Sequence, residues 1–305
     1  MRLPPFNPYI ALLVGVIAIS TSAIFVKLGS GTSASIIAFY RLFFAVLLMA
    51  PIVLTKYRYQ LLSINKIDWL LAVGAGVFLA LHFILWFESL NHTSVASSVV
   101  LVSMQPIFAF IGTYLFFHER FSPGAIISML ITIFGSIIIS WGDFQLSTGR
   151  FLGDILALLG AVAVTVYFLL GQQARKRVSF ITYTFIVYFM SMITLLIYNL
   201  VLRQDFFGHP TEHWLIFIAL ALIPTFLGHS LFNWALRWLS TAAISMALVF
   251  EPIGATILAY FVLNEIVTST QWLGGTIVIF GLFLFVVSTT RKRQVTISHR
   301  QDDAP

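Results

Sequence analysis

Residues 105–119, QPIFAFIGTYLFFHE, return as residues 251–265, EPIGATILAYFVLNE. Each copy opens on an amide or acid followed by Pro-Ile, and each ends on a Glu. The offset is constant: 252 − 106 = 146 and 265 − 119 = 146. At the same offset Ser94 matches Ser240, Ala96 matches Ala242, Ala109 matches Ala255, Tyr114 matches Tyr260, and Ile133-Phe134-Gly135 matches Ile279-Phe280-Gly281. Matches spread over that length indicate an internal duplication.

Composition says what is duplicated. Hydrophobic residues make up 59% of the 305 and charged residues only 9%, against roughly 25% charged in soluble domains. Lipid offers no partner for backbone N–H and C=O groups, so each crossing needs a helix of ~20 apolar residues. The pattern predicts ten: 9–28, 34–55, 68–90, 94–117, 123–141, 151–173, 180–202, 213–236, 241–263 and 269–289. The connections, such as 29–33 and Ser240, are short. The expected fold is therefore all-α and integral to the membrane. It has two five-helix repeats, 9–141 and 151–289, and an unstructured cytoplasmic tail, 290–305.

Cations set the expected orientation. With a cytoplasmic N-terminus, thirteen fall inside: Arg2, Lys56, Arg58, Lys66, Arg120, Arg175, Lys176, Arg177, Arg237, Arg291, Lys292, Arg293 and Arg300. Two, Arg150 and Arg203, fall outside, and Lys27 and Arg41 lie within spans. That bias follows the positive-inside rule and puts both termini in the cytoplasm. An odd number of spans per half makes the second copy enter from the opposite side. Inverted-topology repeats of this kind are the architecture of alternating-access carriers.

The same residues exclude other classes. A net charge of +6 spread over loops beside an anionic leaflet describes membrane anchoring, not nucleic-acid binding. The first apolar run is too long for a signal peptide and lacks a cleavage site, so it stays as the first helix. With no cysteine, disulfides and thiolate metal sites are ruled out. No cofactor or metal is expected.

Here the chain resembles the drug/metabolite transporter superfamily, in the group built from two EamA repeats. The resemblance spans about residues 9–289. It is carried by Ala38-Phe39-Tyr40-Arg41, by the Pro106…Glu119 and Pro252…Glu265 segments, and by the Gly-rich fifth and tenth helices. It implies a multi-pass plasma-membrane carrier of small metabolites, often an exporter of amino acids or related compounds. The copies differ where Gln105 stands opposite Glu251, so the two halves are chemically unequal.

Proline inside a helix removes one hydrogen bond and frees a carbonyl four residues back. Kinks are expected at Pro106, Pro224 and Pro252, freeing the carbonyls of Val102, Leu220 and Leu248; simple packing of the prolines is the other reading. A charge at the bilayer centre costs at least ~2.5–3.5 kcal/mol, so Glu251 must face a polar cavity or be protonated. His82 and Trp86 lie four apart in the third helix, as do His229 and Asn233 in the eighth. His82 and His229 are 147 apart and Trp69 and Trp214 are 145 apart, which suggests a register slip in that helix. His82, Trp86, Gln105, His229, Asn233 and Glu251 are the candidate substrate-binding residues, with Trp as a flat wall and the rest as donors and acceptors for a polar metabolite. Plain interhelical hydrogen bonding is the alternative.

Lys27, Arg41, Glu119 and Glu265 are gating or coupling candidates. Lys27 and Arg41 are expected toward the outer helix ends, where they draw an anion, pair with Glu88, or snorkel to the interface. Glu119 and Glu265 are symmetry mates at opposite faces, in gate, packing or solvated roles. Gly124, Ser128, Thr132, Ser136 and Ser140, with Gly274 and Gly281, form small-residue stripes for packing inside the monomer or in a homodimer. A proton carried by Glu251 or a histidine is the candidate coupling ion. The rivals are a non-transport assembly subunit and an intramembrane enzyme. No His-Glu-x-x-His or suitable Gly-x-Ser arrangement supports the second.

Overall fold

The computed structural model describes residues 4–93, 95–140, 148–264 and 268–302. All elements among the described residues are helices. Eight helices are long and apolar enough to cross a membrane: α1 (Pro8–Leu28), α2 (Ala34–Lys56), α3 (Lys66–His92), α4 (Ser98–Phe117), α6 (Phe151–Ala174), α7 (Phe180–Val201), α8 (Thr211–Ala235) and α9 (Thr241–Leu263). The fifth and tenth expected spans hold shorter apolar helices, α5 (Pro123–Ile138) and α10 (Trp272–Ser288). The helix containing α10 runs on to Asp302, so the expectation of an unstructured tail is corrected. Between Gly281 and Pro305 the chain has no helix breaker, and Arg291, Lys292 and Arg293 are good helix formers.

Local chemistry repeats with the sequence. Ser33 and Ser179, 146 apart, are both N-caps, accepting from the N–H of Ile36 and Thr182 at 3.4 Å. His118 and Asn264, also 146 apart, both end their helices in the left-handed conformation at φ 54°. The Glu119 N–H donates back to Thr113 O at 3.3 Å.

The prolines depart from expectation in an instructive way. At Pro106 and Pro252, α4 and α9 stop and restart. Val95–Val102 ends before Ser103 and Met104, and a new helix begins at Gln105. Thr241–Leu248 ends before Val249 and Phe250, and a new helix begins at Glu251. Each Pro stands in the first turn of the new helix, where its missing N–H has no partner to lose. Pro224 does stay inside a helix, within a π-helical segment, Ala221–His229. A π segment is how a helix absorbs an inserted residue, and it falls between Trp214 and His229, where the repeat register slips.

The closest-packed pairs join the two halves: α3 with α6, α5 with α10, α2 with α7, and α1 with α8. α5 and α10 run antiparallel, because Gly124 meets Ser288 while Gly135 meets Gly274. A methyl at Gly135 would come 2.8 Å from the Gly274 carbonyl. The small-residue stripe thus serves close approach within the chain. Large apolar side chains such as Leu13, Ile17, Leu47 and Ile111 are left exposed around the bundle, the surface that lipid covers.

Candidate functional site

The two helix breaks set Gln105 and Glu251 at the starts of half-helices in the interior, 3% and 7% exposed. Between them lies a small cavity of about 20 Å³, lined by Ile19, His82, Trp86, Val102, Gln105, Val164, Phe168, His229, Leu248 and Glu251. Five of the six candidate substrate-binding residues meet there, drawn from α3, α4, α8 and α9. Asn233 does not. It sits on the same helix face as His229 but one turn, about 6 Å, further along, where Tyr167 donates to its Oδ1.

Five of the cavity's ten lining residues carry polar side chains. His82 stacks on Trp86 with ring centroids 5.5 Å apart, and its Nδ1 donates to the Gly160 carbonyl at 3.0 Å. Trp86 Nε1, Gln105 Nε2 and both ring nitrogens of His229 are buried without partners among the described residues. Buried polar groups are normally bonded, and four nitrogens here are exceptions. The volume is enough for about one water, well below the roughly 300–1,000 Å³ of a metabolite pocket.

Beside the cavity stands a group that sequence reasoning misplaced. Arg41 does not reach the interface; it is 0% exposed. Its Nε donates to Thr225 Oγ1 at 2.6 Å and its Nη1 to Ser22 Oγ at 2.9 Å, while Nη2 has no partner among the described residues. The guanidinium lies 4.4 Å over the Phe83 ring, and Phe83 meets His229 edge-on at 5.4 Å. Thr225 in turn donates to Leu220 O, the carbonyl that Pro224 frees, at 2.8 Å. Tyr188 OH donates to Thr225 O at 3.1 Å. The reason for the misplacement is physical: hydroxyls from α1 and α8 solvate the charge, and no run of sequence displays that shell.

The two ends of the bundle differ. At the end carrying residues 29–33 and 202–210, Thr32 bonds His213 at 2.7 Å and His209 at 3.3 Å. Ser35 donates to Asn199 at 2.6 Å, and Tyr40 donates to the Phe206 carbonyl. Lys27 is exposed there with its ammonium 3.5 Å from Leu90 O, while Glu88 pairs with His92 instead of a cation from α1 or α2. The opposite end opens on a recess of about 680 Å³ lined by Asn7, Phe117, Glu119, Lys176, Arg237 and Trp238 among others. Gln172 bridges that rim, donating to Glu119 at 2.8 Å and accepting from Thr241 N at 2.7 Å. Glu265, the symmetry mate of Glu119, lies outside the described residues.

The same end holds two further arginines. Arg175, expected in a solvated loop, is 1% exposed. It donates to the carbonyls of Asn233 and Val178. Arg177 grips Asp68 through Nε and Nη2 at 2.6–3.0 Å, and that hydrogen-bonded carboxylate raises the guanidinium above its ordinary pKa. The pair ties the first turn of α3 to the loop after α6.

The comparisons place this architecture among known proteins. A model described as the EamA-like transporter family matches residues 7–141 and again 151–287. An uncharacterized transporter of Archaeoglobus fulgidus is 24% identical over 90% of this chain and 94% of its own. The uncharacterized transporter YdfC of Bacillus subtilis is 23% identical over 95% and 93%. One solved crystal structure superposes with a TM-score of 0.74 at 15% identity, over 93% of this chain and 98% of its own, a likeness of fold.

Proposed function

Because the chain belongs to the EamA-like transporter family and is a multi-pass membrane transporter, we propose that it is a secondary carrier exporting a small, polar, amino-acid-like metabolite across the plasma membrane. In this reading it has ten crossings in two inverted five-helix repeats, 9–141 and 151–289, with both termini cytoplasmic. The antiparallel packing of α5 on α10 and the cation bias support the inversion and the orientation.

One observation carries the reading: a small cavity whose polar lining groups are under-bonded among the described residues sits where the broken helices of both halves meet. Half-helices with loosened backbone around a mid-membrane site are how carriers bind solute and rock about it. His82, Trp86, Gln105, His229 and Glu251 bind the solute. Pro106 and Pro252 hold the half-helix starts, and Pro224 holds the bulge in α8. Glu119, from the wider recess, and Lys27, from the stitched end, act at the two gates. Asn233 acts through Tyr167. A proton on Glu251 is the coupling ion. The small-residue stripe is occupied by α10, so a homodimer would use another face.

The test is metabolite profiling of medium from cells that overexpress the protein, lack it, or carry the empty vector. Accumulation of an amino-acid-like compound in proportion to expression is expected. An unchanged medium under all three conditions would count against export.

A further inference from the structure

The recess at the end carrying Lys176 and Arg237 measures about 680 Å³, within the roughly 300–1,000 Å³ of small-molecule pockets. The central cavity of about 20 Å³ holds one water. A whole metabolite therefore fits the recess as it stands. Its walls come from both halves: Asn7 and Tyr9 beside the start of α1 and Phe117 and Glu119 at the end of α4, then Lys176 after α6 and residues 236–240 between α8 and α9.

The lining sets both signs of charge beside apolar surface. Among the described residues it holds one carboxylate, Glu119, and two exposed cations, Lys176 and Arg237. Neither cation is in an ion pair among the described residues. The Lys176 ammonium lies 4.9 Å over the Phe117 ring and donates to Gln173 Oε1 at 3.0 Å. Tyr9, Phe117, Trp238 and Leu239 supply the apolar part. Such a surface complements a zwitterion, its ammonium toward Glu119 and its carboxylate toward the cations. Gln172, 7% exposed, already occupies the donor position at Glu119: its Nε2 donates to that carboxylate at 2.8 Å, while its Oε1 accepts from the N–H of Thr241, the first residue of α9, at 2.7 Å. One amide thus ties the end of α4 to the start of α9.

Resting on the carrier reading above, we propose that this recess is a docking site, separate from the central cavity, for a zwitterionic amino acid with an apolar side chain, and that Gln172 is the residue its ammonium displaces from Glu119. A charged ammonium bonds a carboxylate more strongly than a neutral amide does, so the exchange favours the solute. Once displaced, Gln172 no longer couples α4 to α9, the two broken helices whose restarts line the cavity. Docking at the recess thereby loosens the site further in. The position 146 before Gln172 is Val26, which has no amide to offer, so the latch belongs to this end of the bundle.

Occupancy can be read with a thiol in the recess. The chain has no cysteine, and Leu239 lines the recess but not the central cavity, so Leu239→Cys gives a single reporter that a solute in the cavity does not shield. With the purified full chain in detergent, L-leucine should slow alkylation of this thiol by iodoacetamide at least about threefold. L-leucinamide, which lacks the carboxylate, and 4-methylpentanoate, which lacks the ammonium, should protect less. Glu119→Gln keeps a hydrogen-bonding partner for Gln172, which guards the fold, and should abolish protection by leucine. Gln172→Met removes the competing donor at similar side-chain length, so leucine should protect at concentrations about threefold to tenfold lower, the net worth of one hydrogen bond. No protection by leucine, equal protection in Glu119→Gln, or unchanged or weaker protection in Gln172→Met overturns the proposal. Export is read separately by the medium profile, so the two readings fail independently.

Discussion

Arg41 Nε donates to Thr225 Oγ1 at 2.6 Å, and the same hydroxyl donates onward to the Leu220 carbonyl at 2.8 Å. One threonine therefore satisfies both a buried cation of the first half and the carbonyl released by Pro224 in the second. Thr225→Val keeps the shape and removes the hydroxyl. It should cost about 1–3 kcal/mol, the penalty of stranding buried polar groups. Thr225→Ser should recover most of that. Thermal unfolding in detergent checks both, and an unaffected Val variant would remove the bulge from the account.

The Asp68–Arg177 pair predicts an asymmetry. The Asp68 side chain is 3% exposed and that of Arg177 is 46% exposed. Arg177→Gln leaves a buried carboxylate with Asn65 as its remaining side-chain partner among the described residues, whereas Asp68→Asn leaves a guanidinium free to solvate. The Arg177 variant should therefore lower the melting temperature more than the Asp68 variant, and the double variant should resemble Asp68→Asn. A double-mutant cycle reads the difference.

α5 and α10 depend on missing side chains. A Cβ at Gly281 would meet the Thr132 side chain and come 2.9 Å from its backbone nitrogen. Gly281→Val should part the helices and cost about 1–3 kcal/mol, as overpacking does. Folded yield after membrane extraction and the melting temperature of what remains measure it.

Much of this was legible in the sequence, and the limits have physical reasons. The duplication, the helices and the convergence of His82, Trp86, Gln105, His229 and Glu251 all follow from spacing, because helical periodicity and repeat register are local properties. Whether Pro106 and Pro252 kink a helix or start one was not legible, since the same residue suits both and the choice lies in the turns at Ser103 and Val249. Asn233 shares a face with His229, but periodicity does not say how far along its axis the cavity extends. Arg41, expected toward the outer end of its span, and Arg175, expected in a solvated loop, are both buried because their partners are hydroxyls and carbonyls that no run of sequence brings together. The bonds of Gln172 to Glu119 and Thr241 N were silent for the same reason.

The most direct test of the central claim, a mid-membrane site that opens to each side in turn, exploits the absence of cysteine from the chain. Val102 lines the cavity and is buried, so Val102→Cys supplies a single thiol at the site. In sealed vesicles of either orientation, a membrane-impermeant maleimide should label it slowly from each face when offered alone. Labelling from neither face in folded protein would contradict the account and make the cavity an ordinary packing defect.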